Sequence, residues 1–189
     1  MPADYVARLD FNQIFGRHAP IEIDLGCGDG AYLAAIATAA PARNFLGIER
    51  LLGRVRSTCR KVAASGLSNA RVLRIESLYA VRDLFPHRSI DAFHIMFPDP
   101  WPKRRHQRRR LLDEPFFDAL ALALTARGIV QVATDQREYF DLVRESATAS
   151  GAFREIDWCS RAQTTFERHF CSRGLPVYRL ALSKEAPER

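Results

Sequence analysis

The chain has 189 residues, 47% of them hydrophobic and 26% charged, with a formal net charge of +6. That length suits one core of useful size, and the composition is that of a soluble globular protein, excluding disordered and fibrous classes. No apolar run approaches the roughly 20 residues that cross a bilayer, and Asp4, Arg8 and Asp10 interrupt the N-terminus where a secretory signal needs an apolar stretch, so the expectation is a single domain over residues 1–189, cytoplasmic and with no membrane partner.

Short apolar runs alternate along the chain with segments of helical spacing. Ile21–Leu25 is an apolar run closed by a glycine-rich turn and predicts a buried strand. Ala31–Ala39 predicts a helix, stopped by Pro41. Phe45–Ile48 predicts a second strand. In Leu51–Ala64 the apolar or small residues Leu51, Leu52, Val55, Cys59, Val62 and Ala63 fall at the spacing of one helical face, with Gly66 just past the end. Arg71–Ile75 predicts a strand, Tyr79–Leu84 a short helix and Ile90–Phe97 a further strand. Asp113 and Pro115 open a helix over Glu114–Thr125, and Gly128–Ala133 follows as a strand. Phe140, Val143 and Ala147 mark a helix over Arg137–Ala149 that Gly151 closes. The tail predicts a strand at Phe153–Trp158, a polar loop and a strand at Val177–Leu182.

Such alternation implies a mostly parallel sheet with helices on both faces. The last two strands leave no room for a crossover helix, so a C-terminal antiparallel hairpin is expected. The fold class is therefore doubly wound α/β. The four cysteines (Cys27, Cys59, Cys159 and Cys171) form no CxxC pair and no cluster with histidine. They read as free thiols packed as small hydrophobes, and no metal site is implied.

Ligands of doubly wound sheets bind at the carboxyl ends of the strands, where strand order reverses. After the first strand comes Asp24-Leu25-Gly26-Cys27-Gly28-Asp29-Gly30, and after the second comes Glu49, placed to accept hydrogen bonds from ribose hydroxyls. Glycines at 26, 28 and 30 let the backbone turn tightly and a ligand approach it. Gly26, Gly28 and Ala31 also satisfy the G-x-G-x-x-A pattern of dinucleotide sites. Charge favours a different ligand, because a pyrophosphate would sit in the negative fields of Asp24 and Asp29. S-adenosylmethionine carries no phosphate and brings an ammonium and a sulfonium that those carboxylates favour. Glu76, after the third strand, lies where an adenine amino group could be met.

After the fourth strand the chain reads Phe97-Pro98-Asp99-Pro100-Trp101-Pro102-Lys103-Arg104-Arg105-His106, and six of the eight residues from Lys103 to Arg110 are Lys or Arg. Three prolines stiffen this loop. A rigid loop holding an Asp and a Trp at the end of a central strand reads as a site, and the basic run beside it attracts polyanions.

At these residues the sequence resembles the tRNA (guanine-N7-)-methyltransferases of the bacterial type. The segment FPDPWPKRRHQRRR at Phe97–Arg110 is similar to their proline-basic motif. The likeness extends to FLGIE at Phe45–Glu49, to Thr134, Asp135 and Tyr139, and to Thr164–Glu167. The resemblance implies a Rossmann-like methyltransferase sheet, S-adenosylmethionine as cofactor, and transfer of its methyl group to N7 of a guanine in tRNA, in the variable loop. It implies that Asp24, Gly26, Gly28, Gly30, Glu49, Glu76 and Asp99 meet the methyl donor, with Asp99 at the catalytic centre. The RNA would be met by Lys103, Arg104, Arg105, His106, Arg108, Arg109, Arg110, Asp135 and the stretch Thr164, Thr165, Phe166 and Glu167. The chain departs from the family pattern at Glu76, Arg109 and Gln136. Nothing favours monomer over homodimer. Three rivals stand beside this reading: a nicotinamide-dependent oxidoreductase using the same glycine turn, a non-catalytic RNA-binding protein on the same fold, and a methyltransferase of small molecules or proteins.

Overall fold

A computed structural model describes residues 7–100, 111–159 and 162–185. Its centre is a seven-stranded sheet of β1 (Ile21–Leu25), β2 (Asn44–Glu49), β3 (Ala70–Arg74), β4 (Ile90–Met96), β5 (Leu124–Thr134), β6 (Phe153–Ile156) and β7 (Tyr178–Lys184). The order across the sheet is β3-β2-β1-β4-β5-β7-β6. The first five strands pair in parallel, and β7 runs antiparallel to both β5 and β6. Strand order reverses between β1 and β4, so their carboxyl ends flank the expected crevice.

The helices are α1 (Phe11–Phe15), α2 (Ala31–Ala39), α3 (Leu52–Ala64), α4 (Ser77–Tyr79, continued by a π-helical turn over Ala80–Leu84), α5 (Glu114–Ala123), α6 (Arg137–Ala149) and α7 (Thr165–Ser172). One face of the sheet builds the larger core, including Ile23, Phe93, Val130, Phe116 and Phe117. The other face packs Leu33, Ile36 and Phe45 around α2. That second face also buries a polar chain: His94 meets the Glu22 carboxylate at 2.8 Å and the Tyr32 hydroxyl at 3.2 Å, and Arg43 meets Glu22 at 3.1 Å. These contacts satisfy groups that would be costly to bury alone and tie α2 across β1 and β4.

The expected elements are present, with shifted edges where tertiary contacts decide. Asp113 caps α5, accepting a hydrogen bond from Phe116 N at 3.0 Å. That helix ends at Ala123 and the chain enters β5 at once, although regular pairing with β4 begins only at Ile129. The short α1 was not expected; Asp10 caps it through Asn12 N and Gln13 N. The predicted strand Phe153–Trp158 stops at Ile156. The connection from β6 to β7 is not a simple polar loop but carries α7, so the two terminal strands pair antiparallel without a tight hairpin.

Burial departs from the apolar pattern in two places. In α3 the only fully buried side chain is Thr58, with Val55 and Val62 half-buried beside it, whereas Leu51, Leu52, Cys59 and Ala63 are exposed. The apolar spacing there marked a helix correctly, but the helix rotates to set Thr58 against the glycine turn. Likewise only Cys27 is a buried small hydrophobe; Cys59, Cys159 and Cys171 are exposed free thiols.

Candidate active site

The turn after β1 is set by the backbone. Gly26 has φ +77°, a conformation that favours glycine, and its N–H and that of Cys27 both donate to Ile48 O, at 2.8 and 3.0 Å. Gly30 also has φ +77°, and a Cβ there would lie 2.8 Å from the Thr58 Cα. The turn and α3 therefore touch backbone to backbone, which only glycine at position 30 permits. From α3, Thr58 Oγ1 donates to Gly28 O at 3.1 Å and Lys61 Nζ pairs with the Asp29 carboxylate at 2.5 Å. Thr58 and Lys61 thus clamp the loop, a role that reading the glycine motif alone misses.

Beside this turn lies a cavity of about 570 Å³, lined by Leu25, Gly26, Glu49, Glu76 and Phe97–Asp99, with Arg50, Leu51 and Arg54 on its rim. Glu49 is buried, accepts from Leu51 N at 2.8 Å and lies 3.8 Å from the Arg54 guanidinium. Glu76 is exposed and caps α4 through Tyr79 N at 2.9 Å. Asp24 is 2% exposed, and its Oδ2 has no hydrogen-bond partner among the described residues. Burial first, and the charge of Glu49 second, push its carboxyl up to about 8. Burial also pushes the Cys27 thiol up, so it is not a nucleophile.

The ligand that suits this arrangement is a cation. Asp29 is neutralised by Lys61, which leaves Glu49 and the buried carboxyl of Asp24, protonated up to about 8 unless a cation joins it. An incoming ammonium would favour the ionised form of Asp24, whereas a pyrophosphate would meet Glu49 and make that ionisation costlier still. The donor set therefore fits S-adenosylmethionine. Gly28 and Gly30 shape the turn, and neither lines the cavity; Asp24 lies buried behind the lining residue Leu25 and is not part of the lining either.

Across the cavity, Phe97 follows β4 with φ +54°, strained for a residue with a β-carbon, and its N–H donates to Ala133 O at 2.7 Å. This bend turns Pro98 and Asp99 toward the cavity; the Asp99 side chain is exposed. The Phe97 ring stacks on two residues of α7, Phe166 at 5.9 Å and Phe170 at 6.0 Å between centroids. Asp135 follows β5, half-buried, and accepts from Gln136 Nε2 at 3.1 Å. Thus the loop after β4, the end of β5 and α7 meet at one place.

Within the T-x-F-E stretch the side chains divide. Thr164 is buried and caps α7, accepting from Glu167 N at 2.9 Å. Glu167 is also buried, its carboxylate gripped by Arg179 of β7 at 2.8 and 2.6 Å. Thr165 and Phe166 face outward, Phe166 with 64% exposure. A Thr and a Glu three residues apart ahead of apolar residues are the signature of a helix start, and that signal could have revealed α7. Trp101, Lys103, Arg104, Arg105, His106, Arg108, Arg109 and Arg110 lie outside the described residues.

Comparison with known proteins supplies independent findings. A family model described as "Putative methyltransferase" matches residues 18–180. A tRNA (guanine-N(7)-)-methyltransferase of Halorhodospira halophila is 35% identical over 182 residues, which are 91% of this chain and 78% of that protein. The enzyme of the same name from Bordetella pertussis is 36% identical, over 93% of this chain and 72% of its own. Among solved structures, the 16S rRNA methyltransferase KamB superposes with a TM-score of 0.67 at 17% identity, covering 93% of each chain, a likeness of fold.

Proposed function

The chain belongs to the tRNA (guanine-N(7)-)-methyltransferase family, and from that premise we infer that it transfers a methyl group from S-adenosylmethionine to N7 of a guanine in tRNA, in the variable loop as the family resemblance implies. The observation that carries the reading is the single cavity at the switch point, which joins Gly26, Glu49 and Glu76 to Phe97–Asp99. S-adenosylmethionine, when bound, supplies an electrophilic methyl group on a sulfonium. Asp24 and Glu49 favour its ammonium and ribose, with Gly26, Gly28 and Gly30 keeping the turn open and Glu76 toward the adenine. Asp99 stands between this donor side and the base.

Guanine N7 carries a lone pair and no proton, so the reaction needs no general base. Orientation of the nucleophile against the methyl carbon supplies much of the rate. Positive charge develops on the guanine as the bond to carbon forms and the bond to sulfur breaks, and Asp99, with Asp135 at the end of β5 the second candidate, stabilises that charge and accepts hydrogen bonds from the guanine N–H groups. The base must leave its stack to reach this point. Phe166, exposed and backed by Phe97, is the stacking platform for it, while Thr164 and Glu167 serve the RNA by holding α7 in place. Lys103, Arg104, Arg105, His106, Arg108, Arg109 and Arg110 hold phosphates and position the RNA.

The test is incubation with bulk tRNA and methyl-labelled S-adenosylmethionine, followed by digestion to nucleosides. Labelled 7-methylguanosine is expected. Label in another nucleoside would leave a methyltransferase with a different target, and absence of label despite binding of both substrates would favour a non-catalytic RNA-binding protein.

A further inference from the structure

Residues 50–75 hold seven Lys or Arg and no Asp or Glu, in a chain whose net charge is +6. This segment is the edge of the sheet, formed by α3 and β3. Two of its cations have structural work: Lys61 pairs with Asp29, and Arg71 lies over the Phe15 ring and donates to Ser68 O and Ala70 O. The other five, Arg50, Arg54, Arg56, Arg60 and Arg74, are exposed. Among the described residues, only Arg54 of these five has a carboxylate within ion-pair distance, the Glu49 of the cavity at 3.8 Å. Two exposed arginines of α6 do have carboxylate partners, Arg137 with Asp141 and Arg144 with Glu155.

Arg56 and Arg60 stand one turn apart on the outer side of α3, opposite the buried Thr58. Like charges at this spacing weaken a helix by a few tenths of a kcal/mol, so the fold gains nothing from the pair. Arg74 Nε donates to Arg50 O at 3.3 Å, drawing the end of β3 up to the rim of the cavity that Arg50 and Arg54 line. The unmatched arginines are therefore continuous with the cleft, on the side away from β5 and α7.

We propose that this edge, presenting Arg50, Arg54, Arg56, Arg60 and Arg74, is a second surface for the RNA backbone, so that the substrate straddles the cavity. α3 serves the side of the cavity away from β5 and α7, in addition to the phosphate contacts assigned to the basic run. The proposal rests on RNA being the substrate. Phosphate contacts of this kind release counterions and carry no sequence information.

The test uses the full chain with Arg56→Glu/Arg60→Glu and Arg56→Lys/Arg60→Lys, two positions away from the cavity lining, and measures binding of unmodified tRNA across a salt series. Affinity for S-adenosylhomocysteine reports that the charge-reversal variant is folded. Two lost contacts should reduce the fall in tRNA affinity between about 50 and 200 mM salt by roughly tenfold, and the lysine pair should behave like the wild type. Wild-type affinity and salt slope in the folded charge-reversal variant would overturn the proposal. So would binding of anionic lipid vesicles by this edge as tightly as tRNA. A wild-type protein that ignores tRNA would instead sink the substrate reading itself, and a wild type that binds tRNA through an unchanged edge would sink only this surface.

Discussion

The two walls of the cleft are made differently. On the wall formed by β1 and β2, the shape comes from a backbone turn, and Gly26, Gly30, Asp24 and Glu49 lie close in sequence to the strand ends that present them. On the wall formed by β4 and β5, the shape comes from side chains remote in sequence. Phe97 bends the chain and is stacked by Phe166 and Phe170, and α7 is anchored to β7 by Glu167 and Arg179. The difference teaches that the donor wall is a local structure which the chain builds early in its length. The acceptor wall exists only once the C-terminal antiparallel strands are in place. Substitutions on the two walls should accordingly separate donor binding from reaction with RNA.

The largest effect is expected at Asp99, where the walls meet. Asp99→Ala should lower kcat on the order of 100-fold or more, since it removes a charge facing the developing cation; retention of near wild-type turnover in a labelled-methyl assay would place the stabilising carboxylate elsewhere, with Asp135 the next to test.

On the donor wall the sign of a pH effect discriminates. Asp24 holds its proton up to about 8 because of burial and then Glu49, and a bound cation favours the ionised form. Binding of S-adenosylmethionine should therefore tighten as pH rises toward 8, by up to about tenfold per pH unit, and level off above it. Unliganded stability should move the opposite way: the folded pKa lies above the unfolded one, so stability contributed by the protonated form is lost between about pH 4 and 8. Calorimetric titration of wild type against Asp24→Asn checks this, and a variant that keeps the wild-type pH slope would remove Asp24 from donor binding.

On the acceptor wall, Phe166→Ala should reduce kcat/KM for tRNA by about tenfold, the scale of one lost base–aromatic stack, with the KM for S-adenosylmethionine unchanged and activity largely restored by Phe166→Tyr. An equal loss in both parameters would mean that Phe166 merely supports the fold.

The smallest effect is expected at the anchor of α7. Glu167→Gln weakens its pair with Arg179, which is partly exposed, and should cost about 1 kcal/mol of stability. Thermal unfolding measures that loss, accompanied by a few-fold fall in tRNA turnover; an unaltered melting temperature would show that the aromatic stack alone positions the helix.

Much of this architecture was readable before any coordinates. Short segments such as Ile21–Leu25, with Ile21, Ile23 and Leu25 ahead of a glycine turn, predict strands, and that turn with Glu49 after the next strand points to the side of the sheet where the cavity lies. The helical period of Leu51–Ala64 is borne out, but the period does not tell which side is buried, and Thr58, not the leucines, meets the turn. Thr164 and Glu167 were singled out as substrate residues, and the structure puts both in capping and anchoring contacts that bring Phe166 forward. The seven cations of the α3–β3 edge are in the sequence as well, but spread over 26 residues they are less conspicuous than the dense run beginning at Lys103.

What the sequence by itself determined is therefore the order and type of the principal elements, the position of the glycine turn and the identity of the family. These depend on local chemistry: apolar periodicity, the φ freedom of glycine and short contiguous motifs. What only the tertiary structure decided is which side chains of different elements meet, namely Phe97 with Phe166 and Phe170, Glu167 with Arg179, and Glu22 with His94. Those pairings join residues far apart in the chain, and their energies exist only after strand order and register have brought the partners together, so no local pattern can carry them.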